Sequence, residues 1–200
     1  MKRAFDVALS AVGLLIASPV WVLCAIAVKL QDGGPVMFRQ ERVGRGGRVF
    51  EALKFRSMIP DAEARTGAVQ ATEDDPRVTR VGRLLRATAM DELPQLWNIL
   101  RGDMSFVGPR PLRPGEADVA DNGMTISLCD IPGYESRHSV RPGLTGLAQV
   151  YAARDLKRAG KFRLDRLYLK RASFGLDLKL LMLSFLITAR GAWERRDRNA

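Results

Sequence analysis

An uncharged apolar stretch from Val7 to Val28 constrains this chain more than any other feature of its sequence. Roughly 20 apolar residues in a helix can cross the hydrocarbon core of a bilayer. A cleaved signal peptide is the alternative, with Lys2 and Arg3 as its basic start. However, the run is too long for one, and no small-x-small cleavage site ends it. We therefore predict a membrane helix in residues 1–32.

The flanking charges and one proline predict how this helix meets the membrane. Lys2 and Arg3 precede it and Lys29 follows it, and basic flanks prefer the cytoplasmic side of a membrane. Ser18-Pro19 lies in the middle, where proline removes a backbone hydrogen bond and kinks a helix. We predict a kinked, re-entrant helix that enters and leaves by the same face. A straight anchor with a tolerated proline is the alternative.

The charge balance requires an anionic partner. The chain has 32 Lys and Arg against 22 Asp and Glu, a formal net charge of +10. No nucleic-acid-binding motif is present and the basic residues flank apolar segments. We therefore predict inner-membrane lipids and phosphorylated substrates as partners, and no nucleic acid. Cys24 and Cys129 have no metal or redox spacing, and a single histidine, His138, excludes a zinc site built from several histidines.

The remaining residues, 33–200, are predicted to form one cytoplasmic catalytic domain that is mainly α with a small β-hairpin (α+β). Val36 to Phe55 has two apolar patches around a glycine-rich turn, which predicts the hairpin. Residues 78–100, interrupted at Pro94, and residues 161–189 have helical patterns, whereas 118–129 support no assignment.

The carboxyl-terminal part is predicted to touch the membrane surface. Phe174 to Ala189 is apolar but contains Asp177 and Lys179, which is typical of an amphipathic helix at the membrane interface or packed against the core. Arg190, Arg195, Arg196 and Arg198 follow it and suit anionic headgroups, with a frayed, solvated tail as the alternative.

Two adjacent carboxylates are the strongest candidates for chemistry. Asp91 and Glu92 precede Pro94, so Asp91 is a candidate N-cap with the proline in the first turn of its helix. Free N–H groups and the helix dipole there would favour an ionised carboxylate and a bound phosphate. One carboxylate would attack while the other binds Mg²⁺. On the residues alone, simple helix capping is the more common explanation.

Several basic residues sit on restricted backbone and are candidates to bind phosphates. Rigid backbone lowers the entropy lost when a side chain binds a phosphate. Neither a P-loop nor a Rossmann glycine motif is present. The candidates are Lys54, Arg56, Arg86, Arg110 and Arg141.

A series of blocks, in order over nearly the whole chain, resembles the bacterial sugar transferase family, the monotopic phosphoglycosyl transferases. The two most specific blocks are Asp-Glu-Leu-Pro-Gln at 91–95 and Gly-Pro-Arg-Pro at 108–111. The others are Phe5-Asp6, Ser18-Pro19, Gly34-Pro35-Val36, residues 38–40, 54–58, 82–86, 102–107 and 137–146. The family usually has tryptophan where this chain has Leu147, and an aromatic residue or leucine where it has Met37.

The resemblance implies roles for the residues at these positions. Asp91 matches the family's nucleophile and Glu92 matches the glutamate that helps to hold Mg²⁺. Ser18-Pro19 matches the pair that kinks a re-entrant helix. The expected reaction is transfer of a phosphosugar from a UDP-sugar to polyprenyl (undecaprenyl) phosphate, with release of UMP, through a phosphosugar-aspartate intermediate.

Two alternatives stay open at this point: a Mg²⁺-dependent nucleotide-sugar hydrolase and a non-catalytic scaffold at the membrane surface. The residues do not name the sugar, and a homodimer is an open possibility.

Overall fold

The structure is a computed structural model that describes residues 1–62, 75–119, 124–153 and 156–190. The carboxyl-terminal arginines at 195, 196 and 198 lie outside these ranges. The helices and strands are α1 (Lys2–Asp32), β1 (Met37–Val43), β2 (Val49–Phe55), α2 (Arg80–Ala87), α3 (Gln95–Arg101), β3 (Ser105–Val107), β4 (Ala117–Val119), β5 (Thr125–Ser127), α4 (Tyr134–Arg137), β6 (Gly143–Thr145), α5 (Leu147–Tyr151), α6 (Arg158–Arg171) and α7 (Phe174–Ala189). The predicted mainly helical, α+β fold is confirmed.

The predicted hairpin is confirmed. Strands β1 and β2 pair antiparallel from Met37 opposite Phe55 to Val43 opposite Val49. A short 3₁₀ turn joins them, and Gly46 and Gly47 there have φ values of 67° and 78°. Positive φ is cheap only for glycine, so the glycine-rich sequence makes the tight turn possible.

Two small strand pairs were not predicted. Strand β3 pairs parallel with β6, with Ser105 opposite Gly143 and Val107 opposite Thr145. A Cβ atom on Gly108 would lie 2.5 Å from the carbonyl oxygen of Arg141, so only glycine allows the two backbone segments to approach this closely. Strands β4 and β5 form an antiparallel pair in the region that supported no assignment.

The helical pattern over 161–189 is interrupted, contrary to the prediction of one helical segment. Helix α6 ends at Arg171 and α7 begins at Phe174. Ser173 has extended backbone, and its side chain accepts a hydrogen bond from the Leu176 N–H. Serine is a strong N-cap, because its hydroxyl satisfies one of the free N–H groups of the first turn.

Helix α1 packs along the rest of the protein over most of its length. Near its start, Leu9 and Leu14 contact the cluster around Ile99. Near its end, Cys24 and Val28 pack with Phe55. It is the single helix in the described ranges that is long and apolar enough to cross a membrane. Of the residues in its 18-residue apolar stretch, only 11% are buried. Pro19 lies inside this continuous helix, and the kink stays a prediction.

Helices α1 and α7 bury polar residues and expose apolar ones. In α1, Asp6 and Ser10 are buried whereas Leu15 is 76% exposed. In α7, Asp177 is buried whereas Phe185 is 72% exposed. Helix α7 packs against the core through Leu180, which has no exposed surface, as one of the two expectations for this helix allowed. Its acidic residue faces inward, because Asp177 pairs with Lys2 at 2.6 Å, and its outer face is largely apolar.

Candidate active site

Asp91 lies in a 3₁₀ turn, Met90–Glu92, and not at the start of α3. Ala89 precedes this turn in the left-handed region, with φ 55°. Pro94 is the residue before α3, and its first helical residue is Gln95. The predicted N-cap position of Asp91 is therefore wrong, because the chain makes a separate turn before the proline starts the helix.

Burial dominates the electrostatics of Asp91. Its side chain is largely shielded from solvent, with 8% of the residue exposed. Burial raises the pKa of Asp91 to about 6, and the neighbouring Glu92 adds to this, whereas Lys54, Arg86 and Arg110 oppose it. The expectation that a helix terminus favours the ionised form is therefore also wrong, since desolvation outweighs the nearby positive charges.

Glu92 is held ionised by two cations. Lys54 Nζ lies 2.5 Å from Glu92 Oε1, and Arg110 Nη2 lies 3.4 Å from the same oxygen. Burial acts to raise the pKa of Glu92, but the charges of Lys54 and Arg110 and their hydrogen bonds outweigh it and bring the pKa to about 2. Asp91 and Glu92, called the dyad below, therefore combine one carboxyl group that retains its proton more readily with one carboxylate that stays ionised.

Three of the five predicted phosphate-binding residues lie around this dyad. Lys54 and Arg110 contact Glu92 directly. Arg86 acts electrostatically on Asp91 and donates to the Ser57 hydroxyl at 3.0 Å. With half of its side chain exposed, Arg110 is accessible to a ligand as well as to Glu92.

The other two predicted phosphate-binding residues make contacts elsewhere. Arg56 is buried in an ion pair with Asp32 at the end of α1. Arg141 donates from Nε to the Gly102 carbonyl at 2.8 Å, where α3 ends. The structure does not bring either of them to Asp91 or Glu92, so their binding of phosphate stays a prediction.

Sequence reasoning missed the residues that hold the segment carrying Arg110. Arg42 donates to the Pro111 carbonyl at 3.1 Å, and Arg137 donates to the Arg110 carbonyl at 2.7 Å. Arg137 belongs to one of the family-like blocks, but only the fold shows that it reaches this segment.

The residues present fit a Mg²⁺ ion that takes most of its ligands from substrate and water. Asp91 and Glu92 supply adjacent carboxylates, and Mg²⁺ is usually held by one or two carboxylates together with substrate phosphates. Among the described residues no group of three or more metal-binding side chains occurs, so these residues offer no complete cage. Lys54 and Arg110 already place positive charge beside the Glu92 carboxylate, which shows that this carboxylate attracts cations.

Comparison with known proteins identifies the family. The sequence matches the bacterial sugar transferase family model over residues 1–191. The chain belongs to the bacterial sugar transferase family. This confirms the resemblance drawn from the sequence blocks.

Two of the relatives described below are named for transfer of a sugar phosphate to undecaprenyl phosphate, and the third for exopolysaccharide production. This sugar transferase is 43% identical over 190 residues to an undecaprenyl-phosphate glucose phosphotransferase from Komagataeibacter xylinus, covering 92% of the chain and 35% of the relative. It is 41% identical over 197 residues to a UDP-N-acetylgalactosamine-undecaprenyl-phosphate N-acetylgalactosaminephosphotransferase from Aeromonas hydrophila, covering 96% of the chain and 45% of the relative. An exopolysaccharide production protein, PSS, from Rhizobium leguminosarum bv. phaseoli is 39% identical over 186 residues, with 90% of the chain and 91% of the relative covered.

The sugar transferase chain spans less than half of the length of the first two of these relatives. Those two are named for different sugars at nearly equal identity. Similarity of this degree therefore leaves the sugar open.

Proposed function

We propose that this protein transfers a phosphosugar from a UDP-sugar to undecaprenyl phosphate and releases UMP. The observation that carries the proposal is the buried Asp91 beside an ionised Glu92 that Lys54 and Arg110 contact. A carboxylate nucleophile next to cations suits attack on a diphosphate, because the cations stabilise the charge of the phosphoryl group. Family membership supports the same reaction class.

The reaction would proceed in two displacements at one phosphorus atom. A carboxylate oxygen of Asp91 attacks the β-phosphorus of the UDP-sugar, and the bond from that phosphorus to the bridging oxygen breaks. UMP leaves with the bridging oxygen. A phosphate oxygen of undecaprenyl phosphate then attacks the same phosphorus, and the bond to Asp91 breaks. The product is undecaprenyl-diphosphate-sugar, and the Asp91 carboxylate is restored.

The surrounding residues have distinct tasks in this scheme. Lys54, Arg86 and Arg110 favour the ionised form of Asp91 that the attack needs. Arg110 is exposed enough to contact a donor phosphate while it lies beside Glu92. Glu92 would hold Mg²⁺ together with the substrate. When bound, the ion would offset the diphosphate charge during phosphoryl transfer.

We also propose that α1 is re-entrant and that the protein lies on the cytoplasmic face of the inner membrane. Both ends of α1 contact the same folded unit: Arg3 donates to the Ile99 carbonyl at 2.6 Å, and Asp32 pairs with Arg56. A helix that crosses the bilayer would carry one end away from that unit. The exposed apolar faces of α1 and α7 would then contact lipid.

The decisive experiment is UMP release from a panel of UDP-sugars by the solubilised protein, with and without undecaprenyl phosphate and Mg²⁺. We expect release to require both the lipid and the metal. Asp91→Asn should form no covalent phosphosugar adduct and show no turnover. Asp130→Asn, which removes the charge of an exposed aspartate, is the matched control. Full turnover by Asp91→Asn would refute the mechanism.

The two alternative functions give different results in the same assay. A nucleotide-sugar hydrolase would release UMP without lipid. A scaffold would release none, and substitutions at Asp91 and Glu92 would have no biochemical effect.

Cysteine accessibility tests the topology. Single cysteines at Ala4 and Gln31, both exposed residues of α1, should be labelled only from the cytoplasmic side in a background without Cys24 and Cys129. Labelling of position 4 from the periplasm would contradict re-entry.

A further inference from the structure

A buried arginine supports the backbone of Arg110 from behind. Arg137 has 3% of its surface exposed. Its Nη2 donates to the Arg110 carbonyl at 2.7 Å, and its Nε donates to Asp165 Oδ2 at 3.0 Å. A continuous set of contacts therefore runs from Asp165 on α6 through Arg137 to Arg110, whose side chain lies 3.4 Å from Glu92.

The guanidinium of Arg137 is fixed in orientation. Its Cζ lies 4.7 Å from the centroid of the Phe162 ring, which is itself almost completely buried on α6. A planar guanidinium that stacks on a ring and donates in two directions has little freedom to rotate. The carbonyl of Arg110 is therefore held at a defined position by a rigid group.

The segment that follows Arg110 is held from the hairpin. Arg42 donates to the Pro111 carbonyl at 3.1 Å, and the Val43 N–H donates to the Leu112 carbonyl at 2.8 Å. These contacts fix residues 111 and 112, but the carbonyl of Arg110 is contacted by Arg137. The preceding residues are held by β6, because the Gly108 N–H donates to the Thr145 carbonyl and the Gly143 N–H donates to the Pro109 carbonyl, both at 2.9 Å. Loss of Arg137 would therefore remove the side-chain donor from the Arg110 carbonyl itself, between these two supports.

We propose that Arg137, oriented by Asp165, is a positioning residue that holds Arg110 against Glu92 and the donor diphosphate. The inference rests on the proposed function and adds a residue that does not contact the substrate. Simple stabilisation explains the pair less well, because a buried ion pair often contributes no more stability than apolar residues of similar size. An apolar side chain in place of Arg137 cannot donate the hydrogen bond to the Arg110 carbonyl.

The test separates positioning from stability with a paired substitution. Arg137→Met alone leaves Asp165 as an unpaired buried carboxylate and is expected to lower stability, so it is not informative by itself. In Arg137→Met/Asp165→Leu both charges are removed, and apolar side chains fill the site. We expect a melting temperature near that of the wild type but a loss of roughly 10- to 100-fold in the rate of UMP release. Arg137→Lys should also lose activity, because an ammonium lacks the planar fork.

Combining the paired substitution with Arg110→Ala distinguishes positioning of Arg110 from a purely structural role. If Arg137 acts through Arg110, the paired substitution should cause little further loss in the Arg110→Ala background, since coupled residues are non-additive. Losses that multiply would overturn the inference. A paired variant with wild-type activity would overturn it as well.

Hydrogen exchange gives a second readout that needs no donor. The amides of Gly108 and Arg113, which flank the segment and donate to the Thr145 carbonyl and to Glu116, should exchange faster in the paired variant than in the wild type. Unchanged exchange would overturn the inference even if transfer activity were demonstrated. Faster exchange in a protein that releases no UMP from any donor would support the positioning contact while refuting the proposed function.

Discussion

Replacement of Asn98 by leucine should cause a large loss of stability. Asn98 has no exposed surface and lies in α3. Its Oδ1 accepts from the Leu53 N–H at 3.0 Å, and its Nδ2 donates to the Glu51 carbonyl at 2.7 Å. Leucine is similar in size but can neither donate nor accept. Asn98→Leu would therefore leave two backbone groups of β2 without their partners.

The expected magnitude follows from the cost of those two groups. A buried polar group without a hydrogen-bond partner costs about 1–3 kcal/mol. Because leucine adds apolar contacts that offset part of the loss, we expect the free energy of unfolding to fall by about 3 kcal/mol. For a domain of this size, 1 kcal/mol corresponds to roughly 2–4 °C in melting temperature. The variant should therefore melt roughly 6–12 °C below the wild type.

Gln31→Leu is a matched control for this experiment. Gln31 also accepts a hydrogen bond from a backbone N–H, that of Val81 at 3.2 Å, but the contact is exposed to solvent. Water can replace the lost amide there, so we expect a shift below about 2 °C. Thermal unfolding of both variants in the same detergent measures the difference. Equal shifts for Asn98→Leu and Gln31→Leu would refute the argument from buried backbone groups.

Three further changes probe other parts of the structure. Burial and a neighbouring positive charge lower the pKa of His138 to about 4, whereas an unfolded histidine titrates near 6.5. The contribution of His138 to stability should therefore be complete above pH 6.5 and be lost as the pH drops towards 4, whereas the raised pKa of Asp91 acts in the opposite direction. His138→Gln should therefore become more stable relative to the wild type in thermal melts as the pH falls. Gly108→Ala would place a Cβ atom 2.5 Å from the Arg141 carbonyl oxygen and should prevent accumulation of folded protein. Phe185→Glu puts a charge on the exposed apolar face of α7 and should increase extraction from membranes by alkaline carbonate.

Each of these changes has a control and an outcome that contradicts it. A stability difference between His138→Gln and the wild type that is the same at pH 5 as at pH 7.5 would exclude the histidine linkage. Gly175→Ala meets no atom within 4 Å and should express normally, so equal expression of the Gly108 variant would contradict the steric argument. Ser139→Glu adds the same charge at an exposed position outside α7. Equal extraction of both glutamate variants would exclude a lipid-facing role for Phe185.

Features with a strong local signal were predictable. The hairpin follows from two apolar patches around glycines that adopt positive φ, and α1 follows from a charge-free run of sufficient length. The importance of Asp91 and Glu92 is different. Their residue types and spacing by themselves favoured a helix cap, and the resemblance to a family was needed to select them.

Features that depend on distant contacts were not predictable. Strands of three residues, such as β3 and β6, are too short to show a periodic pattern. Arg137 and Asp165 are 28 positions apart, and nothing local indicates that they pair. The raised pKa of Asp91 comes mainly from burial, which is a property of the folded chain. The position of Asp91 three residues before Pro94 predicted a lowered pKa for this carboxyl group instead.

The packing behind the dyad connects the candidate site to an exposed apolar face. Leu93, the residue after Glu92, packs in the same cluster as Trp21 of α1 and Phe55 of β2. On the same helix, Leu23 and Leu30 are exposed apolar residues. The helix that carries this apolar face therefore also packs against the segment of the dyad. Under the proposed function that face contacts lipid, so a lipid phosphate at headgroup depth and a donor from the cytoplasm would meet at Asp91 without either one crossing the membrane.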